Sequence, residues 1–338
     1  MRNVRYTKNK LNYIIIVGII VFFMECSFFY RNIKLKNYLL RELKNEKDVR
    51  LFLRNRTDFY FQKRKKFLKD HNFEYTETEL KTFQQKLNYL IIHEGPDCKT
   101  NLVDKIKIHE YSKKVLGKDI CSPILKIYDD IHEINLNELP DKFVLKCNHG
   151  SGMNIFCKDK KEFDLEKAKQ KLKYWININY GLLQNEFQYL FVKRRIFAAP
   201  YLCDKIIDYE FYCFNGNPKF LRVQKTLNET MHLNLHNYYD FNWNLLDIES
   251  GLNNYIRDPN ITIEKPKYLN LMIDYATKLS KDFAFLRVDL YELNDIVYLS
   301  ELTFTPSNTL MTLKNEEQRL FLGRLIDLTK IKRSLFNK

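Results

Sequence analysis

Glycine and proline are scarce, with 9 and 8 in 338 residues, which excludes a collagen-like or low-complexity chain. None of the seven cysteines is spaced C-x-x-C, so the usual zinc and thioredoxin patterns are missing. Their odd number and irregular spacing do not make a disulfide framework; they read as buried thiols. There is no GxxxxGK[ST] and no GxGxxG, and no internal repeat is visible. What is present is a chain with 45% apolar residues, enough to exclude full disorder and to bury a sizeable core. The length fits two domains or one larger unit.

The net charge of +14 is unevenly placed. Residues 1–70 carry 18 Lys/Arg against 6 Asp/Glu, and the remainder is nearly balanced, 38 against 36. A nucleic-acid-binding domain keeps its basic footprint on the fold, so nucleic acid is not the expected partner. Residues 13–24 (YIIIVGIIVFFM) form an unbroken apolar run, which Glu25 interrupts and residues 26–30 (CSFFY) resume. Those 18 residues are enough to cross a bilayer. Three readings are open: an uncleaved anchor, a cleaved signal and a buried or interfacial helix. No A-x-A pattern follows the run, and the anchor is preferred, although a carboxylate at Glu25 is costly in lipid. Basic residues flank the run on both sides. Arg2, Arg5, Lys8 and Lys10 favour a cytoplasmic N-terminus, hence a single-pass type II arrangement. The expected organisation is a basic tail over 1–12, an anchor over 13–30, a charged stalk over 31–80 and one folded domain over 81–338. The three N-x-S/T sequons, at Asn55, Asn228 and Asn260, are about what chance supplies in so asparagine-rich a chain.

Within the domain, the spacing predicts a helix over 102–116 ending at Gly117 and another over 164–179 with Asp164 as N-cap. Short apolar runs at 124–128 and 143–147 read as strands. Residues 208–214 (DYEFYCF) alternate and meet Asn215-Gly216, a hairpin turn into a partner strand over 219–224. A helix over 267–282, a second hairpin over 283–303 and a last helix over 316–328 follow. Hairpins mixed with helices indicate an α+β fold.

Two segments carry candidate chemistry. In Lys146-Cys147-Asn148-His149-Gly150-Ser151-Gly152-Met153-Asn154 a strand ends in a lysine and enters a loop with two glycines. Glycines let backbone N–H groups approach an anion, and lysine adds a point charge; the alternative is an ordinary hairpin. In Arg287-Val288-Asp289 and Glu301-Leu302-Thr303, antiparallel pairing would put two carboxylates on one face. That arrangement suits Mg²⁺ bound with nucleotide phosphates; the alternative is a salt bridge.

Together these pieces resemble the TupA-like ATP-grasp family from about residue 87 to 325. They occur in the family's order: Asp104-Lys105 with Gly117, LPDKFVLKCNHGSGMN, DYEFYCFNG, YYDFNW, FLRVDLY and ELTFTPS. The resemblance implies an ATP-grasp fold, two α+β lobes gripping ATP, behind the N-terminal membrane-anchor helix. It implies ATP and Mg²⁺ as cofactors and a ligase that works through an acyl phosphate, acting in cell-surface polysaccharide or glycoconjugate biosynthesis. Its substrate would be a small-molecule or glycan-linked carboxylate. By position, Lys105 and Lys146 are the phosphate- and adenine-side lysines. His149, Gly150, Ser151, Gly152 and Asn154 form the loop over the phosphates, and Ala199, Tyr201 and Leu202 the hinge that meets adenine. Asp289 and Glu301 hold Mg²⁺, with Asn308 a further ligand, and Arg287 is the catalytic group on the acyl phosphate.

Several positions depart from the family's pattern. Ala199 stands where glutamate is usual, Glu210 replaces a lysine, His109 an arginine, and Thr303 an asparagine. Two other classes therefore stay open: a membrane-anchored glycosyltransferase, which the lack of any D-x-D disfavours, and an ATP-grasp domain kept as a binding protein.

Overall fold

The computed structural model describes residues 57–204, 206–228, 233–249, 255–310, 313 and 315–331. The expected anchor at 13–30 lies outside them. Among the described residues no helix is long and apolar enough to cross a membrane.

The described chain opens with helix α1 (Thr57–Asp70). Tyr60, Arg64 and Leu68 recur every fourth residue, lie on one face and are buried; Gln62, Lys65, Lys66 and Lys69 face water. The expected stalk over 31–80 therefore does not extend across this part of the chain: residues 57–80 pack on the domain. Charge density concealed a stripe of only three buried positions. Helix α2 (Phe83–His93) follows, closed at its start by a capping box between Thr82 and Gln85. The helix expected over 102–116 is two helices, α3 (Asp97–Val103) and α4 (Ile108–Leu116). Asp104 is extended at the break and accepts hydrogen bonds from the N–H groups of Ile106 and Lys107, which starts the second helix afresh. Gly117 ends α4 at φ +74°, as expected.

A small antiparallel sheet comes next, from β1 (Lys126–Tyr128), β2 (Phe143–Cys147), β3 (Asn154–Cys157) and β4 (Ile196–Pro200), in the order β1-β4-β2-β3. Helix α5 (Leu165–Asn177), capped by Asp164, packs on it through Leu172, which meets Phe143 and Leu145 in one apolar cluster. The short α6 (Tyr180–Gln184) leads towards β4.

The larger sheet holds β5 (Asp208–Phe214), β6 (Asn217–Asn228), β7 (Leu233–Tyr239), β8 (Leu245–Leu246), β10 (Phe285–Leu293) and β11 (Ile296–Thr303), in the order β11-β10-β5-β6-β7-β8. The short β9 (Tyr255–Ile256) adds parallel to β7. The expected hairpins are present. Asn215 and Gly216 both have positive φ, as a tight two-residue turn requires, and a Cβ on Gly216 would sit 2.8 Å from the Lys281 Cα. Helix α7 (Leu269–Ser280) covers one face, burying Met272, Ala276 and Leu279 on Phe211, Leu221 and Val288. On the opposite face alternate positions change character along the strands. Tyr212, Phe214 and Phe285 are roofed by α2 and by α8 (Glu316–Leu325). Asp208, Glu210, Arg287 and Asp289 have the same parity and lie further along. That charged end faces the small sheet.

Candidate functional site: a cleft between the two sheets

A cleft of about 340 Å³ separates the lobes. It is lined by Val144, Lys146, Asn154 and Phe156 from β2 and β3, Ser151 and Gly152 from their turn, Phe197 and Ala199 to Cys203 from β4 and beyond, Lys105, Asp208, Tyr291 and Glu301. Lys105, Lys146, Ser151, Gly152, Asn154, Ala199, Tyr201, Leu202 and Glu301 are thus brought together, although they come from separate parts of the chain.

Asn148 organises the wall that carries Lys105 and Lys146. Its carbonyl accepts from the Lys105 N–H at 3.2 Å and its amide Nδ2 donates to Asp104 Oδ1 at 2.8 Å. Its Oδ1 accepts from the Arg195 N–H at 2.7 Å. One buried side chain therefore joins the α3–α4 break, the end of β2 and the start of β4. Lys105 Nζ donates to the Gly150 carbonyl at 2.7 Å and lies 3.8 Å from Glu301 Oε1. The Lys146 ammonium makes no hydrogen bond or ion pair among the described residues, and burial together with the Lys105 charge pulls its pKa down. A half-buried ammonium without a partner is a position for an anion.

The turn itself divides into two parts. Gly152 has φ +74° and opens on the cleft; Gly150 lies under Tyr180, whose ring carbon would be 2.8 Å from an added Cβ. His149 is buried with Nε2 donating to the Trp175 carbonyl at 3.1 Å, and burial holds its pKa down to about 4. His149 and Gly150 do not line the cleft. They fasten the turn to α5 and α6, a role that a linear motif does not distinguish from ligand contact.

The acidic wall is more committed than the motif suggests. Asp289 sits opposite both Glu210 and Glu301 in the sheet register. Arg287 grips Asp289 with two hydrogen bonds, 2.7 Å from Nε to Oδ1 and 2.6 Å from Nη2 to Oδ2, and Nη2 lies 3.6 Å from Glu210 Oε1. Arg222 forms a buried ion pair with Glu210, so the glutamate replacing a family lysine is neutralised. Burial pushes the Asp289 carboxyl up, with the guanidinium opposing it. Neither Arg287 nor Asp289 lines the cleft; Glu301 does, with Tyr189 donating to its Oε1 at 3.1 Å. Asn308 is not at the cleft. Its Oδ1 accepts from Arg64 and its Nδ2 donates to the Gln184 carbonyl, both at 2.7 Å, so its amide is spent on the fold.

Asp208, not expected as a site residue, does line the cleft; burial and the nearby Glu210 push its pKa up to about 7. The signal was in the alternation, since Asp208 shares a strand face with Glu210. Tyr189 and Asn148 had no such signal, because their roles depend on partners more than 40 residues away. His109 also lines the cleft and is paired with Asp119 at 2.7 Å.

Two antiparallel sheets flanking a cleft lined by two lysines and by carboxylates define the ATP-grasp class of architecture. The model of the TupA-like ATPgrasp family matches residues 85–327, and the chain belongs to that family. No curated protein matches. Among solved structures, the L-amino acid ligase from Bacillus licheniformis is 15% identical over 60% of this chain and 42% of that one, with a TM-score of 0.38. A D-alanine–D-alanine ligase from Bacillus anthracis complexed with ATP is 17% identical over 60% and 55%, with a TM-score of 0.36. An ADP complex of an N5-carboxyaminoimidazole ribonucleotide synthetase is 14% identical over 64% and 48%, with a TM-score of 0.38. The chain spans about half the length of these structures.

The residues present fit a nucleotide and, in part, its metal. Lys146 offers an unpartnered cation, Gly152 an open left-handed turn, and the Ala199–Leu202 segment a wall of backbone and apolar surface. Glu301 and Asp208 present carboxylates to the cleft, whereas Asp289 is engaged by Arg287.

Proposed function

We propose that the chain is an ATP-dependent ligase that activates a carboxylate as an acyl phosphate. The observation that carries this reading is Lys146, a half-buried ammonium with no hydrogen bond or ion pair among the described residues, lining the cleft together with Lys105 and Glu301. In the reaction, an oxygen of the substrate carboxylate attacks the γ-phosphorus and the bond to ADP breaks. An amine or similar nucleophile then attacks the acyl carbon, loses its proton and displaces phosphate. Lys105 and Lys146 hold phosphate oxygens through both steps. The turn at Ser151–Asn154 covers them and excludes water. Ala199, Tyr201 and Leu202 receive the adenine. Glu301, aided by Asp208, would hold Mg²⁺, which when bound would supply charge neutralisation on the transferred group. Arg287, held by Asp289 and Glu210 behind the cleft wall, takes no direct part; its charge steadies the carboxylates on that sheet face.

The expected substrate is a small-molecule or glycan-linked carboxylate, joined in an amide or related bond during surface polysaccharide or glycoconjugate synthesis; the family resemblance is its support. The test is thermal shift of the full chain with ATP·Mg²⁺ against UDP- and GDP-sugars. Stabilisation by ATP·Mg²⁺ alone is expected. Stabilisation by a nucleotide sugar would favour a glycosyltransferase, and no response to either would favour a binding protein. Residues 13–30 are read as the membrane attachment, so the full chain should sediment with membranes until detergent is added; a soluble full chain would remove that attachment.

A further inference from the structure

Arg64 lies on α1, before the span that the family model matches, yet it reaches into the domain and is fully buried. It donates five hydrogen bonds, as many as a guanidinium has N–H groups. Nε binds Asn88 Oδ1 at 2.7 Å; Nη1 binds Asn308 Oδ1 at 2.7 Å and the Asn185 carbonyl at 3.3 Å; Nη2 binds the Asn308 carbonyl at 2.6 Å and Thr309 Oγ1 at 2.5 Å. Three of the five bonds go to one short stretch, and that stretch is strained. Ser307, Asn308 and Thr309 have φ of +50°, +51° and +60°. Three consecutive left-handed non-glycine residues, one of them β-branched, persist only where the surroundings hold them.

The stretch begins six residues after Glu301. Thr305, between them, donates to the buried Glu186 and accepts from Gln188 Nε2 at 2.8 Å. Tyr189, one residue beyond Gln188, donates to Glu301. The same helix touches this second support, since the Tyr60 ring lies 4.6 Å from that of Phe187. Arg64 therefore grips one end of a connected set of hydrogen bonds and Glu301 stands at the other.

We propose that Arg64 is a positioning residue: it holds residues 307–309 in their left-handed conformation and, through that loop, sets Glu301 in the wall of the nucleotide cleft. The proposal rests on the ligase reading for the role of Glu301. A purely structural arginine would contribute stability without altering how the cleft responds to Mg²⁺.

The experiment uses the full chain and three variants, Arg64→Ala, the milder Arg64→Lys, and Leu68→Ala as a packing control from the same helix. ATP affinity is measured with and without Mg²⁺, and hydrogen exchange is followed over residues 301–310. Arg64→Ala is expected to weaken Mg²⁺-dependent ATP binding roughly 10-fold, as loss of an outer support to a metal ligand does, with little change when Mg²⁺ is absent. Arg64→Lys should show a smaller loss in the same direction, and both should speed exchange over 301–310. Leu68→Ala should leave the Mg²⁺ dependence and that local exchange as in the parent. If Arg64→Ala does not fold, Arg64→Lys decides. Arg64 variants that match the parent, or that merely match Leu68→Ala, overturn the proposal. A parent chain that binds no ATP overturns the ligase reading instead, and parent-like exchange over 301–310 in the Arg64 variants would then refute the clamp by itself.

Discussion

Lys146 and Lys161 are both lysines on or near the same hairpin, but only Lys146 lines the cleft. Lys146→Ala should cost roughly 1.5–3 kcal/mol of ATP affinity, about tenfold to a hundredfold or slightly more. The exposed Lys161 should be nearly silent in the same titration. Equal affinities for the two variants would show that Lys146 only lies along a strand edge. Glu301 and Asp289 separate in the same way, although they face each other in the register. Glu301→Gln should raise the Mg²⁺ needed for ATP binding and leave unfolding unchanged. Asp289→Asn removes one partner of a buried ion pair and should lower stability by about 3–5 kcal/mol, read by urea unfolding. Parent-like stability in Asp289→Asn would mean that the Arg287 pair is of little consequence.

Helix α1 shows how an element can belong to a fold while its composition points elsewhere. Truncation at residue 57 should leave a cooperative domain, whereas truncation at residue 81 should not. The longer deletion strips the Arg64 hydrogen bonds from the Asn308 side-chain oxygen and carbonyl, at about 1–3 kcal/mol for each group left unpaired. It also removes the buried Tyr60, Leu68 and Tyr75, at about 1.5–3 kcal/mol for each large apolar side chain. Against a total stability of about 5–15 kcal/mol these losses decide the outcome. Circular dichroism melting of the two fragments is the measurement, and a sharp transition in residues 81–338 would contradict the packing role of α1.

Across the molecule, buried titratable groups pull stability in opposite directions with pH. Burial pushes Glu186 up to about 7, with Thr305 and Arg64 opposing it, and pushes Asp208 up to about 7. Between the ordinary carboxylate range and pH 7 these groups hold protons in the folded chain that the unfolded chain has released. Their contribution therefore falls as pH rises through that window. Burial also holds His149 down to about 4 and His236 lower still. These rings stay neutral in the folded chain while the unfolded chain takes up protons below the ordinary imidazole value, so their contribution rises with pH up to about 6.5. The two sets act in opposite directions, and a difference between variants exposes each. Relative to Glu186→Gln, the parent should lose stability between pH 5 and pH 7.5. A difference in unfolding free energy that is constant over that range would show that Glu186 is ionised throughout.

Local pattern accounts for much of the architecture. The alternation of DYEFYCF, the Asn215-Gly216 turn, the Asp164 cap and the Gly117 stop depend on interactions within a few residues, and each is found where the chain's letters put it. The cleft was also legible in large part: nine of the expected site residues line it, because the strand ends and turns that carry them are set locally. Other features were decided by groups far apart in the chain. Asp289 is spent on Arg287 because Glu210 and Arg222 share their sheet face, and His149 is a fastener because α5 lies over it. Asn308 is turned from the cleft by Arg64, a residue 244 positions earlier. Periodicity specifies which face of an element a side chain occupies; which group meets that side chain there, and hence whether its charge is free for a ligand or already paired, is set only when the elements pack.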